Sequence, residues 1–354
     1  MKELIDKRSQ DEPEAAPLQV RDEGAPMIGM ERATELDTAG ASAVVQPTHS
    51  RNMGDLLFGG ALRFAVWVFF AVLLGIITIV LVQSWPNIQH SGLGFFFKEG
   101  WDPVNLNFGA APFFVDTILV AGVAILLAGS VGLASAIYLV EYAPRWLREP
   151  VSFLIELLAF IPSVVYGLWG LLVMAPWLAQ NVEPWLQQHF GSISLFNGPP
   201  YGVGIMAASL ILSIMLLPLI VSLSREALLL VPDSQREAMY ALGATRWEVL
   251  RKAVLPYARS GIFGAIVLST GRALGETMAI AMVIGGGFQF PKTLFDQGYT
   301  LASVIANEFN EVSSDMYLSA LIEAGLMLLV LTSLVNVGAY FIMRRMTRIH
   351  EAKA

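Results

Sequence analysis

Apolar residues run through this chain in long blocks. Six stretches, 64–84, 113–140, 151–177, 201–223, 261–284 and 318–343, carry almost no charge, and each has at least the roughly 20 residues a helix needs to cross a bilayer's hydrocarbon core. Polar positions collect between the blocks. The pattern predicts an all-α membrane protein with six transmembrane helices within 60–345. The first block lies too far from Met1, and runs too long, to read as a cleaved signal peptide.

Composition agrees with the pattern. Of 354 residues, 55% are hydrophobic and 14% charged, against about 25% charged in ordinary soluble domains; mean hydropathy is +0.60. Charge orients the blocks, because Lys and Arg accumulate in cytoplasmic loops. The loop over 224–260 holds Arg225, Arg236, Arg246, Arg251, Lys252 and Arg259, the loop over 141–150 holds Arg145 and Arg148, and the C-terminal segment holds Arg344, Arg345, Arg348 and Lys353. The alternate loops hold only Lys98 and Lys292. Both termini are therefore expected in the cytoplasm, with 346–354 a short tail. Of the 22 Lys and Arg residues only Arg272 falls inside an expected span.

The net charge of -7 arises mostly in residues 1–50, where ten Asp and Glu face five Lys and Arg. Their setting of Pro, Gly and Ala predicts a disordered acidic tail over 1–55. There are no cysteines, so disulfides and thiolate sites are excluded. The four histidines have no ligand-like spacing, which argues against a metal site. The basic residues follow the membrane topology instead of forming a patch with aromatics, so no nucleic-acid partner is expected.

The loop "REALLLVPDSQREAMYALGATRWEVLRKAVLPYARS" carries signals for two short helices. Ser234 with Glu237, and Thr245 with Glu248, have capping-box spacing. Gly243 falls where the first helix would need a left-handed residue, and Pro256 is expected to close the second. Trp247, Val249, Leu250, Val254 and Leu255 form an apolar stripe on the second helix. Such a knob either packs on its own bundle or docks elsewhere. The stretch resembles the coupling motif of ABC-importer permeases, with Glu237, Ala238, Gly243, Leu255 and Pro256 at the family's spacing, and mild departures at Met239 and Ala253. The resemblance implies docking to a cytoplasmic ATPase. With no G-x-x-x-x-G-K-[ST] phosphate loop here, that ATPase would be a separate chain.

Within "LSTGRALGETMAIAM", Arg272 would lie about 16 Å from the inner end of its span, too deep to snorkel to either interface. It must face protein interior or a water-filled path. Glu276 falls one turn further along the same expected helix, within ion-pair reach. The two either lock helix packing or serve a substrate path; a midplane arginine suits an oxyanion, since its planar donors meet two oxygens at once. In the third block, "ELLAFIPSVVYGLWG", Pro162 predicts a kink, and Ser163 and Tyr166 are candidates to line the path.

Taken together, "IPSVVYGLWG" and "GRALGETMA" closely resemble signature stretches of phosphate-specific importer permeases of the PstC type, with Thr277 and Met278 after Gly-Glu in place of the aromatic-Gly of sulfate and molybdate permeases. The resemblance covers about residues 60–345. It implies a type I ABC importer permease fold with a cytoplasmic coupling-helix loop, a bacterial inner-membrane location, and a path involving Arg272, Glu276 and Thr277. It also implies a homologous PstA-type permease, an ATPase dimer holding ATP and Mg, and an extracytoplasmic phosphate-binding protein, with no cofactor on this chain. A permease for another oxyanion is the alternative within the class. A secondary transporter would show internal repeats or several deep acids, and only Glu276 is deep. An intramembrane hydrolase needs a nucleophile with a base or a metal pair, and no His or Cys lies in any block.

Overall fold

A computed structural model describes residues 53–351. The expected acidic tail lies outside the described residues up to position 52, and residues 53–55 already belong to the first helix. The chain divides into two compact units, Met1–Val68 and Phe69–Ala354. The described part of the first is helical throughout, as the opening of α1 (Met53–Ser91).

The second unit continues with α2 (Gly94–Phe97), a two-stranded antiparallel sheet of β1 (Trp101–Asp102) and β2 (Asn107–Phe108), and α3 (Ala111–Ile137). Next come α4 (Arg145–Ala159), α5 (Ser163–Trp169), α6 (Ala175–Trp177), α7 (Glu183–Phe190) and α8 (Ile205–Leu229). The loop holds α9 (Asp233–Ala241) and α10 (Arg246–Val249), followed by α11 (Leu255–Gly275), α12 (Met278–Val283), α13 (Leu301–Glu308) and α14 (Asp315–Glu351). The last helix takes in most of the segment expected as a tail after residue 345.

Six helical runs among the described residues are long and apolar enough to cross a membrane: Leu56–Ser91, Ala111–Tyr142, Ser163–Phe190, Ile205–Leu229, Arg246–Gly275 and Asp315–Arg345. The number agrees with the sequence pattern; two boundaries do not. The expected third span, 151–177, is two helices. Pro162 restricts the residue before it to extended backbone, so the chain breaks between Ala159 and Ser163 and the span starts there. α4 becomes a separate amphipathic helix, with Phe153, Leu154 and Leu157 exposed and Ser152 buried. Glu156 therefore precedes the third span.

The fifth run corrects the second boundary. Pro256 does not close the loop helix, because α10 passes through a π-turn at Leu250–Val254 straight into α11. A proline lacks an N–H for the carbonyl four residues back, and its ring clashes there. Widening the preceding turn to i→i+5 bonds relieves the clash. All four π-turns among the described residues, Tyr138–Tyr142, Gly170–Met174, Leu178–Val182 and Leu250–Val254, end two residues before a proline, at Pro144, Pro176, Pro184 and Pro256.

Two apolar cores hold the second unit. The larger joins α3, α8, α12, α13 and α14 through residues such as Phe113, Ile211, Leu212, Val283, Leu301 and Leu321. The smaller joins Leu139 and Val140 to Val221, Leu228 and Val231, and to Val249, Leu250 and Val254. Gly132 and Gly170 allow the close approaches: a Cβ on either would fall within 2.9 Å of an isoleucine side chain of α8.

Candidate functional site

The expected Arg272–Glu276 pair is not formed. α11 stops at Gly275, Glu276 is extended (φ -70°, ψ 126°), and the chain re-enters a helix at Met278. No ion pair joins the two side chains among the described residues. The i, i+4 relation on which pairing depended exists only in a continuous helix. A break inside a span strands carbonyls of one half-helix and N–H groups of the other, and these need partners in a medium without water. Glu276 meets that need by accepting from the Ala279 N–H at 3.4 Å, and Thr277 donates its hydroxyl to the Gly275 carbonyl at 3.2 Å.

Arg272 thus sits three residues before the break, exposed on the surface of the chain. It opens onto a groove of about 620 Å³ lined by Leu219 of α8, Gly264, Val267, Leu268 and Gly271 of α11, and Asn336 of α14. The groove exists because its α11 wall is partly side-chain-free: nothing lies within 4 Å of where a Gly264 Cβ would be, and the nearest atom to one on Gly271 is the Asn336 amide oxygen at 3.8 Å. Asn336 is the site residue that sequence reasoning passed over. Its signal was available, as a lone amide in the apolar run "LVNVGAYFIM".

Ser163 and Tyr166 lie on α5 and do not line that groove. The Tyr166 hydroxyl donates to the Leu158 carbonyl at 3.0 Å and the residue is buried. That carbonyl, four residues before Pro162, also accepts the Ile161 N–H at 3.3 Å, and Tyr166 adds a side-chain donor where the proline has no N–H to give. It braces the helix break, on a helix that packs against α12, where a Cβ on Gly167 would come within 2.9 Å of Ala279. Ser163 is half-buried at the start of α5.

The coupling loop is built largely as its punctuation predicts. Thr245 and Glu248 form a reciprocal capping box. Gly243 has φ +80°, and the N–H groups of Gly243 and Ala244 bond the carbonyls of Tyr240 and Met239 at 2.9 and 3.1 Å, a Schellman closure. The other expected cap fails: α9 follows Pro232, and Ser234 lies inside the helix with no capping bond. The expected stripe is also divided. Val249, Leu250 and Val254 are buried in the inner core, whereas Trp247 is 59% exposed. The large apolar side chains left exposed along the loop are Trp247, Leu242, Tyr240 and Leu230, and Glu237 and Ala238 are exposed as well.

A family model described as binding-protein-dependent transport system inner membrane component matches residues 128–348, a stretch containing the loop, the broken fifth span and the groove. The chain belongs to this family. It is a multi-pass inner-membrane permease subunit of an ABC transporter, not an enzyme, and works with a separate ATPase and a binding protein. The permease is 41% identical over 295 residues to the phosphate transport system permease protein PstC of Pasteurella multocida, covering 82% of this chain and 92% of that one. It is 41% identical to the PstC of Mesorhizobium japonicum, covering 82% and 90%, and 35% identical to a probable PstC of Methanocaldococcus jannaschii, covering 79% and 90%. Among solved structures, a bacterial ABC transporter involved in the import of the acidic polysaccharide alginate superposes with a TM-score of 0.50 at 19% identity, covering 82% of this chain and 98% of that one. That likeness supports the permease fold alone.

Proposed function

We propose that this permease imports inorganic phosphate, forming the translocation path together with a homologous PstA-type permease. Two ATPase subunits hold ATP and Mg and dock on the coupling loop, and an extracytoplasmic phosphate-binding protein delivers the substrate. Both termini lie in the cytoplasm, in keeping with the Lys and Arg asymmetry. The observation that carries the reading is Arg272: a guanidinium beside a helix break, opening onto a groove with glycine and asparagine walls, in a chain 41% identical to proteins named for phosphate transport. A cation held at that depth is costly unless it meets water, an anion or a partner, and its two parallel N–H bonds suit a tetrahedral oxyanion.

The test is labelled-phosphate uptake into membranes with matched subunit levels. Arg272→Gln should cut uptake at least tenfold, Arg272→Lys should recover part of it, and excess unlabelled sulfate should not compete. Near-normal uptake by Arg272→Gln would overturn the assignment, and sulfate competition would move the substrate to another oxyanion.

A further inference from the structure

Of the loop's helices, α9 has the least apolar grip on the rest of the chain. None of its nine residues is buried, and its one side chain against the inner core is Met239. Arg236 makes up the difference. Its Nη1 donates to the Val231 carbonyl at 2.6 Å and to Asp233 at 3.2 Å. Its Nη2 donates to the Leu228 carbonyl at 3.0 Å and to the Glu141 carboxylate at 3.2 Å. The Arg236 and Glu141 side chains are only 16% and 15% exposed, unlike Asp233 at 88%, so the Glu141 bond is shielded from the screening that weakens surface pairs.

These partners belong to separate parts of the machinery. Leu228 lies in the last turn of α8 and Val231 two residues past its end; the Leu228 carbonyl also accepts the Val231 N–H at 3.4 Å. Glu141 lies in the π-turn that ends the second span. One planar side chain therefore joins α9 to the inner ends of the second and fourth spans. Without it, α9 is held by the short link back to α8, by Met239 and the packing of α9 beside the Leu250–Val254 turn, and by the Gly243 turn that leads into the fifth span.

We propose that Arg236 is a positioning residue for coupling: it clasps α9 to the second and fourth spans, so that a push on the loop moves them together with the fifth. The proposal rests on the reading of α9 as the ATPase contact. Arginine is required because a single ammonium cannot hold two carbonyls and a carboxylate in one plane.

The experiment uses the complete transporter in proteoliposomes, reading phosphate uptake, ATP hydrolysis and ATPase association together. Arg236→Gln should keep the ATPase bound while uptake per ATP hydrolysed falls at least threefold, with Arg236→Lys recovering only part. Glu141→Ala removes the carboxylate acceptor, leaves the other three bonds in place and should lower the same ratio by a smaller factor. Because the chain has no cysteine, an Arg236→Cys, Glu141→Cys double variant, assembled with partner subunits from which cysteines have been removed, can be bridged with a short bis-maleimide, which should raise the ratio above that of the unbridged protein. A wild-type ratio in Arg236→Gln, or a bridge that stops transport, would overturn the clasp. If Arg236→Gln does not assemble, Glu141→Ala decides by the same ratio: lowered supports the proposal, wild-type overturns it. Failure of the underlying reading looks different, as ATPase association that is indifferent to Leu242→Glu on the exposed end of α9.

Discussion

At the residue scale, Arg272 and Glu276 separate into two jobs. Since Glu276 caps α12 through a carboxylate oxygen, an amide oxygen at the same place can accept the same bond. Glu276→Gln should therefore retain most phosphate uptake, whereas Glu276→Leu should lose the cap, worth about 1 kcal/mol, and yield less folded protein; a thermal melt in detergent with parallel uptake assays checks both. Tyr166→Phe should lower stability by about 1 kcal/mol through the lost bond to Leu158 with uptake little changed, and a collapse of uptake at unchanged stability would restore Tyr166 to the path. The depth of Arg272 was legible from its place in an apolar block. Its lack of an ion-pair partner was not, because spacing gives a common face only if the helix continues, and "GRALGETMA" contains no proline to announce a break. Asp116 and Glu323 show the same limit. Asp116 accepts the Tyr299 N–H at 3.1 Å and Glu323 accepts from Asn87 at 2.7 Å, long-range bonds that local spacing does not encode.

At the scale of elements, the loop is where sequence punctuation and structure agree most closely. Gly243 stands in open space, so a side chain there would meet no neighbour and the whole penalty is conformational. A residue with a Cβ at that φ costs about 1 kcal/mol or more, and a β-branched one strains χ1 as well. Gly243→Val is thus expected to insert normally but to loosen the turn between α9 and α10, reducing ATPase association or uptake per ATP. Unchanged values for both would remove the turn from the coupling route. The two misplaced span boundaries share one cause. Proline has more than one local outcome, a break as at Pro162, a widened turn as at Pro256 or a helix that continues as at Pro218, and the tertiary support that chooses among them lies outside the local sequence. At Pro256 the choice follows the burial of Val249, Leu250 and Val254, which holds the preceding turn in place.

At the scale of the molecule, the count of six spans was readable because bilayer thickness sets a length that composition alone can meet. Orientation is testable in the same terms. Reporter fusions at Ser234 and after Glu351 should give a cytoplasmic signal, and one at Asn197 an external signal; an external signal from Ser234 would invert the topology. The uninterrupted run from α10 through α11 adds a constraint of phase. Each residue of an α-helix turns the chain by about 100° and advances it 1.5 Å, so the direction in which Arg272 points is counted out, residue by residue, from the loop. One alanine inserted between Ala258 and Gly264 would swing Arg272 away from Asn336 while leaving composition and hydropathy untouched, and uptake should be lost.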